Sequence, residues 1–318
     1  MYHYNIYKTL RNHKDTITNI IILKDKRLCS CSKDNTIIIY NKDNYNPDII
    51  IKYSNENFIL YSYHIQLINN NILISFSNWT NGIFKIIQLL ENNQYEIIQE
   101  IILNNYQIKK AIEFKENKLL LSSEDTIKLF IKNCNIYECY KEITIVDSDI
   151  LYNILLIKEN ELVSCESKNV KFWNIDGNDN FQLITNYKSE TEFACTFNSI
   201  YLNENFLFLG MRFDSIICFN IKNHKLIFCD EITNEFGHCF EDIKSIIHLK
   251  NGNFLFGGFE KESFGYYLVE CKFENNEVIK STNTERRTNS IILGIIELDN
   301  GNIITFSDDN IISFWRKE

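Results

Sequence analysis

Proline is almost absent from this 318-residue sequence, with Pro47 alone, and glycine occurs only 10 times. Collagen-like and Pro/Gly-rich low-complexity readings are thereby excluded. Turns must draw on Asn, Asp and Lys instead, with Asn often standing where Gly would be expected. No apolar run approaches the roughly 20 residues that would span a bilayer. The stretch Met1-Tyr2-His3-Tyr4-Asn5 lacks the basic, apolar and small-residue sectors of a signal peptide, so a cytoplasmic protein is expected, with the nucleus left open. Positive charge is also in deficit, with 33 Lys and Arg against 42 Asp and Glu, a formal charge of −9. Phosphate-backbone binders need clustered cations, so nucleic acid is not the expected partner and a basic protein segment fits better.

Metal and cofactor signatures are missing too. The cysteines at 29, 31, 134, 139, 165, 195, 218, 229, 239 and 271 contain no Cys-x-x-Cys pair, and read as small buried apolar residues of a reducing compartment. His3, His64, His224, His238 and His248 are widely separated and show no ligand spacing. No Gly-rich loop could cradle a phosphate. No cofactor, metal or small-molecule substrate is therefore expected.

What the sequence does contain is a repeat. Seven polar turns recur: Lys24-Asp25-Lys26, Asn69-Asn70-Asn71, Lys115-Glu116-Asn117, Lys158-Glu159-Asn160, Asn203-Glu204-Asn205, Lys250-Asn251-Gly252 and Asp299-Asn300-Gly301. Successive turns start 43 to 49 residues apart, the period of four-stranded propeller blades. Short apolar strands precede each turn, as in Ile17 to Leu23 and Leu151 to Ile157, and follow it, as in Leu28 to Ser32 and Leu162 to Ser164. Third strands such as Thr36-Ile37-Ile38-Ile39-Tyr40 and Ile311-Ile312-Ser313-Phe314-Trp315 are β-branched and aromatic, as strands packed on both faces should be. Fourth strands are fainter, with candidates at Tyr95 to Ile102, Ile136 to Ile143, Phe181 to Tyr187 and Leu226 to Ile232. Gly257-Gly258 is the one diglycine, where kelch blades would repeat it.

Asn12-His13 followed by Ser30-Cys31-Ser32-Lys33-Asp34-Asn35-Thr36-Ile37-Ile38-Ile39-Tyr40-Asn41 resembles a complete WD repeat. Its second half recurs in Ser122 to Phe130, Ser164 to Asn174 and Ser307 to Trp315. Motifs this sharp occupy about four blades and single out no subfamily. The resemblance implies an all-β fold: a seven-bladed β-propeller of four-stranded antiparallel blades, one domain over residues 1–318. The last blade ends on its third strand, so residues 2–10 are expected to donate its outer strand and close the ring.

His13, Ser30 and Asp34 are the residue types of a hydrolase triad. In the WD-repeat family the corresponding residues, with an aromatic here represented by Tyr40, form a structural hydrogen-bond network, and no nucleophile elbow accompanies them. The protein is thus expected to be a non-catalytic scaffold or adaptor that binds a protein or peptide, basic in character, on the face where the bends between second and third strands gather. Candidate contacts are Trp79, Glu166, Glu190, Glu192, Phe193, Arg212, Phe213, Phe236, Glu241 and Asp242, acids to steer a basic segment and aromatics or Arg to anchor it. Arg286-Arg287 is read as part of an exposed connecting loop. A phosphoinositide- or nucleic-acid-binding propeller using that pair is the alternative.

Overall fold

A computed structural model describes residues 4–52, 62–68, 71–77, 81–145, 150–188, 200–202, 205–210, 215–231, 240–260, 265–274, 277–280, 286–288 and 290–317. Apart from one 3-10 turn at Glu91–Asn93, its regular elements are strands, and no helix among the described residues is long and apolar enough to cross a membrane.

Seven antiparallel sheets follow one another along the chain after β1 (Tyr4–Leu10). The first holds β2 (Ile17–Ile22), β3 (Leu28–Ser32), β4 (Thr36–Tyr40) and β5 (Pro47–Lys52). The second holds β6 (Ser62–Ile68), β7 (Asn71–Ser77), β8 (Asn81–Leu89) and β9 (Tyr95–Asn104). In the third are β10 (Lys110–Lys115), β11 (Lys118–Ser122), β12 (Thr126–Asn133) and β13 (Ile136–Thr144), and in the fourth β14 (Leu151–Lys158), β15 (Glu161–Glu166), β16 (Asn169–Ile175) and β17 (Phe181–Lys188). The fifth comprises β18 (Ile200–Leu202), β19 (Phe206–Gly210), β20 (Ser215–Asn220) and β21 (Lys225–Glu231). The sixth has β22 (Phe240–His248), β23 (Phe254–Glu260), β24 (Gly265–Glu274), β25 (Glu277–Lys280) and β26 (Arg286–Thr288). The seventh has β27 (Ile292–Glu297), β28 (Ile303–Ser307) and β29 (Ile312–Lys317), with β1 as its fourth strand.

That last pairing joins the two ends of the described chain in one sheet. β1 runs antiparallel to β29, with Tyr4 opposite Lys317, Ile6 opposite Trp315 and Leu10 opposite Ile312, and a bulge between Ile6 and Lys8. Without β1, the backbone of β29 would be an open edge.

Middle strands are buried on both faces rather than on alternate residues. All five residues of β3 are buried, and so are four of the five in β4. Such strands need a neighbour on each side. The chain divides into two compact units, Asn12–Leu162 with Asn174–Gln182, and Met1–Arg11 with Val163–Trp173 and Leu183–Glu318. In the first unit, Cys29, Cys31, Ile37 and Ile39 pack against Ile65, Ile72, Ile74 and Phe76 of the next sheet. In the second, Leu249, Leu255 and Leu268 pack with Ile292, Ile303, Trp315 and Tyr4. Outer strands face water along much of their length, as on β9, where Ile102 is 56% exposed, which is why their pattern is faint in the sequence.

The shortage of glycine is met at the turns as expected. Lys26, Asn117, Gly252 and Gly301, each the third residue of its turn, have positive φ, and Asn35 and Asn310 do the same in the bends before third strands. Asn tolerates this left-handed region because its short side chain bonds locally. Gly294 is required for a different reason: a Cβ there would run into the Phe306 ring.

Two expectations are corrected. Arg286 and Arg287 lie on β26, not in a connecting loop: Tyr267 pairs with Arg287 and Leu268 with Arg286. β25 covers only Cys271 to Glu274 of the ten-residue β24, so the outer strand of this sheet comes in two pieces, and a polar tripeptide fills the remaining edge through its backbone. Cysteines 29, 31, 165, 218 and 271 are buried, but Cys134 and Cys139 are exposed, at the tip of the β12–β13 hairpin and on the outer strand β13. Cysteines 195, 229 and 239 have side chains outside the described residues.

Deleting residues 1–10 is expected to give an insoluble or loosely folded product, because it strips the partner from β29. A truncated protein with an unchanged melting temperature would contradict this role for β1.

Candidate functional site

The arrangement that most resembles a reactive centre lies in the first sheet. His13 stands just before β2, Ser30 in the middle of β3, Asp34 in the β3–β4 bend and Tyr40 at the end of β4. The structure brings all four together. His13 Nδ1 is 3.0 Å from Asp34 Oδ2, and its Nε2 is 2.7 Å from Ser30 Oγ. Ser30 in turn donates to the Tyr40 hydroxyl at 3.5 Å, a long and weak bond. Asp34 also accepts from the Lys14 backbone N–H at 2.8 Å, from the Thr36 N–H at 2.9 Å and from the Thr36 hydroxyl at 2.6 Å.

Burial alone would raise the Asp34 carboxyl, but the bonds from His13, Thr36 and the Lys14 amide outweigh it and hold the group at about 2. Burial pushes the Tyr40 phenol up to about 12. Ser30 is fully buried and His13 is 5% exposed. A nucleophile must reach its substrate, and this serine is sealed beneath the bend that Asp34 organises. What the arrangement does is tie the segment before β2, strand β3 and the following bend to one another.

Related ties, unforeseen from the sequence, occur in other sheets. Trp173 Nε1 donates to Ser164 Oγ at 2.9 Å, and Trp315 Nε1 to Thr305 Oγ1 at 2.8 Å, so an indole on the third strand clips a hydroxyl on the second. The available signal was a Ser or Thr nine or ten residues before an aromatic, the spacing that Ser30 and Tyr40 also have. In the fourth and seventh sheets the indole bond is short, whereas the phenol of the first sheet receives a stretched contact. Asp179 forms a further tie, accepting from Lys115 Nζ at 2.8 Å, Lys118 Nζ at 2.5 Å and Tyr140 OH at 2.8 Å. Burial opposes its charge, yet the two ammonium groups and the phenol hold it at about 2. Along inner strands, Asn19 Nδ2 lies 3.0 Å from His64 Nδ1, while Lys110 donates to Asn153 at 3.0 Å. Burial, helped by the Lys110 charge, pushes His64 down to about 3, so it is neutral at physiological pH.

The candidate contact residues fare differently. Trp79, Glu190, Glu192, Phe193, Arg212, Phe213 and Phe236 lie outside the described residues. Glu241 and Asp242 belong to β22, which begins at Phe240, rather than to a loop before it. Glu166 is not a surface acid. β15 runs on through it instead of stopping at Ser164, so its fully buried carboxylate pairs with Lys171 at 2.9 Å and accepts from Ser164 Oγ at 3.3 Å.

Known proteins resemble the chain in fold and, over one segment, in sequence. The family model described as "WD domain, G-beta repeat" matches residues 4–41, which contain β1 and the four-residue network above. No curated protein sequence matches significantly. The WD40 beta propeller domain of Doa1 superposes with a TM-score of 0.70 at 15% identity, over 99% of this chain and 97% of that one. A chain of the Mitotic Checkpoint Complex does so with a TM-score of 0.75 at 11% identity, over 98% of this chain and 91% of that one. At such low identity these likenesses show the fold: the seven sheets are the blades of a β-propeller.

The Asp34 bonds predict a pH signature. A carboxyl lowered from 3.8 to about 2 contributes stability that is complete above the unfolded value and is lost as pH falls through the folded one. Asp34→Asn should cost about 2 kcal/mol at neutral pH, from roughly 1.4 kcal/mol per pKa unit. In urea titrations this difference from the parent protein should narrow between about pH 4 and 2; a pH-independent difference would contradict the account. Trp315→Phe, which strands the buried Thr305 hydroxyl, should cost about 1–3 kcal/mol in the same assay, and full retention of stability would argue against the clip.

Proposed function

We propose that the chain, a β-propeller whose residues 4–41 match the WD-repeat model, is a non-catalytic scaffold or adaptor, acting in the cytoplasm, that binds a protein or peptide partner. The observation that carries this reading is the fate of the triad-like constellation in the first sheet. Ser30, His13 and Asp34 are within hydrogen-bonding distance, as a hydrolase would need, but Ser30 is fully buried and Asp34 accepts backbone bonds that fasten a bend. Propellers of this family generally serve as interaction platforms, and one chain of similar fold belongs to the Mitotic Checkpoint Complex.

A basic partner suits the charge of −9. We place its contact on the face formed by the bends between second and third strands, with Glu190, Glu192, Glu241 and Asp242 steering it and Trp79, Phe193, Phe213, Phe236 and Arg212 anchoring it. An acidic surface raises the encounter rate with a cationic segment, while buried aromatic and Arg contacts supply most of the affinity. Glu166 has no part in this surface, since its charge is neutralised inside the fold.

Replacing Glu190, Glu192, Glu241 and Asp242 by Lys should abolish recovery of the partner in an affinity purification from native cells, with the melting temperature kept as a control on folding. Equal recovery by a folded variant would remove these acids from the account. Flotation with phosphoinositide vesicles tests the alternative: the parent protein should stay unbound, and binding lost on Arg286→Ala with Arg287→Ala would replace the scaffold reading by a lipid-binding one.

A further inference from the structure

β1 is held unevenly. Of its seven residues only Tyr4 and Leu10, at its two ends, are buried, while Ile6 is 48% and Tyr7 43% exposed, and the bulge between Ile6 and Lys8 interrupts the ladder. The middle rests on light contacts: Tyr7 lies edge-on to Phe314 at 6.1 Å, beneath the Arg316 guanidinium at 4.9 Å, and accepts a bond from Asn302 at 3.2 Å.

The Tyr4 end is different. Its ring is buried among Leu249, Leu255, Leu268, Ile292 and Trp315, and its hydroxyl donates to Glu270 Oε2 at 2.9 Å. Glu270 is a fully buried acid on β24, in the neighbouring blade. Lys317 Nζ, at the end of β29, lies 2.9 and 3.0 Å from its two oxygens. From the β22–β23 turn, Asn251 Nδ2 donates at 3.0 Å and Asn253 Nδ2 at 2.5 Å. Although burial works against the charge, these donors keep the carboxyl below its ordinary value.

All four partners donate, so only an acceptor-only carboxylate satisfies them together. One side chain thereby connects the first described strand, the last strand, and the strand and turn of a different blade. We propose that Glu270 is a latch that keeps β1 docked, and that β1 is a releasable strap whose attachment depends on this single buried carboxylate more than on its own ladder. Neutralising Glu270 would face an amide N–H2 against other donors, free the Tyr4 end first and let the strand peel away from β29. Such release is transient and local, so the strands of the other blades would stay folded, whereas deleting residues 1–10 leaves β29 open permanently.

Hydrogen exchange followed by mass spectrometry on the full chain tests the latch, because it reads each strand separately. In Glu270→Gln, amides of Tyr4–Leu10 should exchange at least tenfold faster while those of β3 and β11 keep their parent rates, and Tyr4→Phe should give a smaller acceleration confined to the same strand. Unchanged exchange in Tyr4–Leu10, or equal acceleration in every strand, would overturn the proposal. Should Glu270→Gln fail to fold, Tyr4→Phe combined with Lys317→Met decides it by the same two criteria.

Discussion

A four-stranded sheet with apolar side chains on both faces cannot stand alone in water, and everything else in this protein follows from that constraint. At about 25 cal/mol per Å² of apolar surface, leaving one face of a blade such as β2 to β5 uncovered would forfeit several kcal/mol. That is comparable to the whole stability of a domain. Ile37 and Ile39 therefore need Ile72, Ile74 and Phe76 beside them, and Leu255 and Leu268 need Ile292 and Trp315. Such packing is repetitive by nature, since every blade offers its neighbour the same problem.

Polar groups inside this apolar frame act as fasteners, and they share one design. Asp34, Asp179 and Glu270 are acids that burial would neutralise, each held charged by three or more donors from separate segments. A buried charge is tolerated only when its partners are complete, so each cluster demands one local arrangement and penalises near misses. Asp34 fixes a bend within one blade. Asp179 and Glu270 reach from one blade to strands of another, which hydrophobic contact alone would leave free to slide.

The repeat was legible because two kinds of residue advertise it: apolar middle strands such as Thr36–Tyr40, and polar turns whose third residue adopts positive φ, as at Lys26 and Asn117. The His13, Ser30, Asp34 and Tyr40 group was legible because a WD repeat spaces its members in a fixed way. Glu166 and Glu270 were not. Both sit in strands, flanked by Ser164 and Cys165 or by Val269 and Cys271, and a lone acid in such a run reads as an interruption until its Lys partner, close or distant in sequence, is brought alongside. Nor could Arg286-Arg287 be read as a strand, since its place is decided by the edge that β25 leaves open on β24 rather than by its own side chains.

Pairing of the first and last strands is the point where this account is most exposed, because it joins residues more than 300 apart in sequence. Thr9 lies opposite Ser313 in that ladder. The most direct measurement is oxidation of a Thr9→Cys, Ser313→Cys double variant, with the linked peptides identified by mass spectrometry. The account predicts a disulfide joining residues 9 and 313 in the folded monomer; a folded monomer in which both thiols stay free would contradict it.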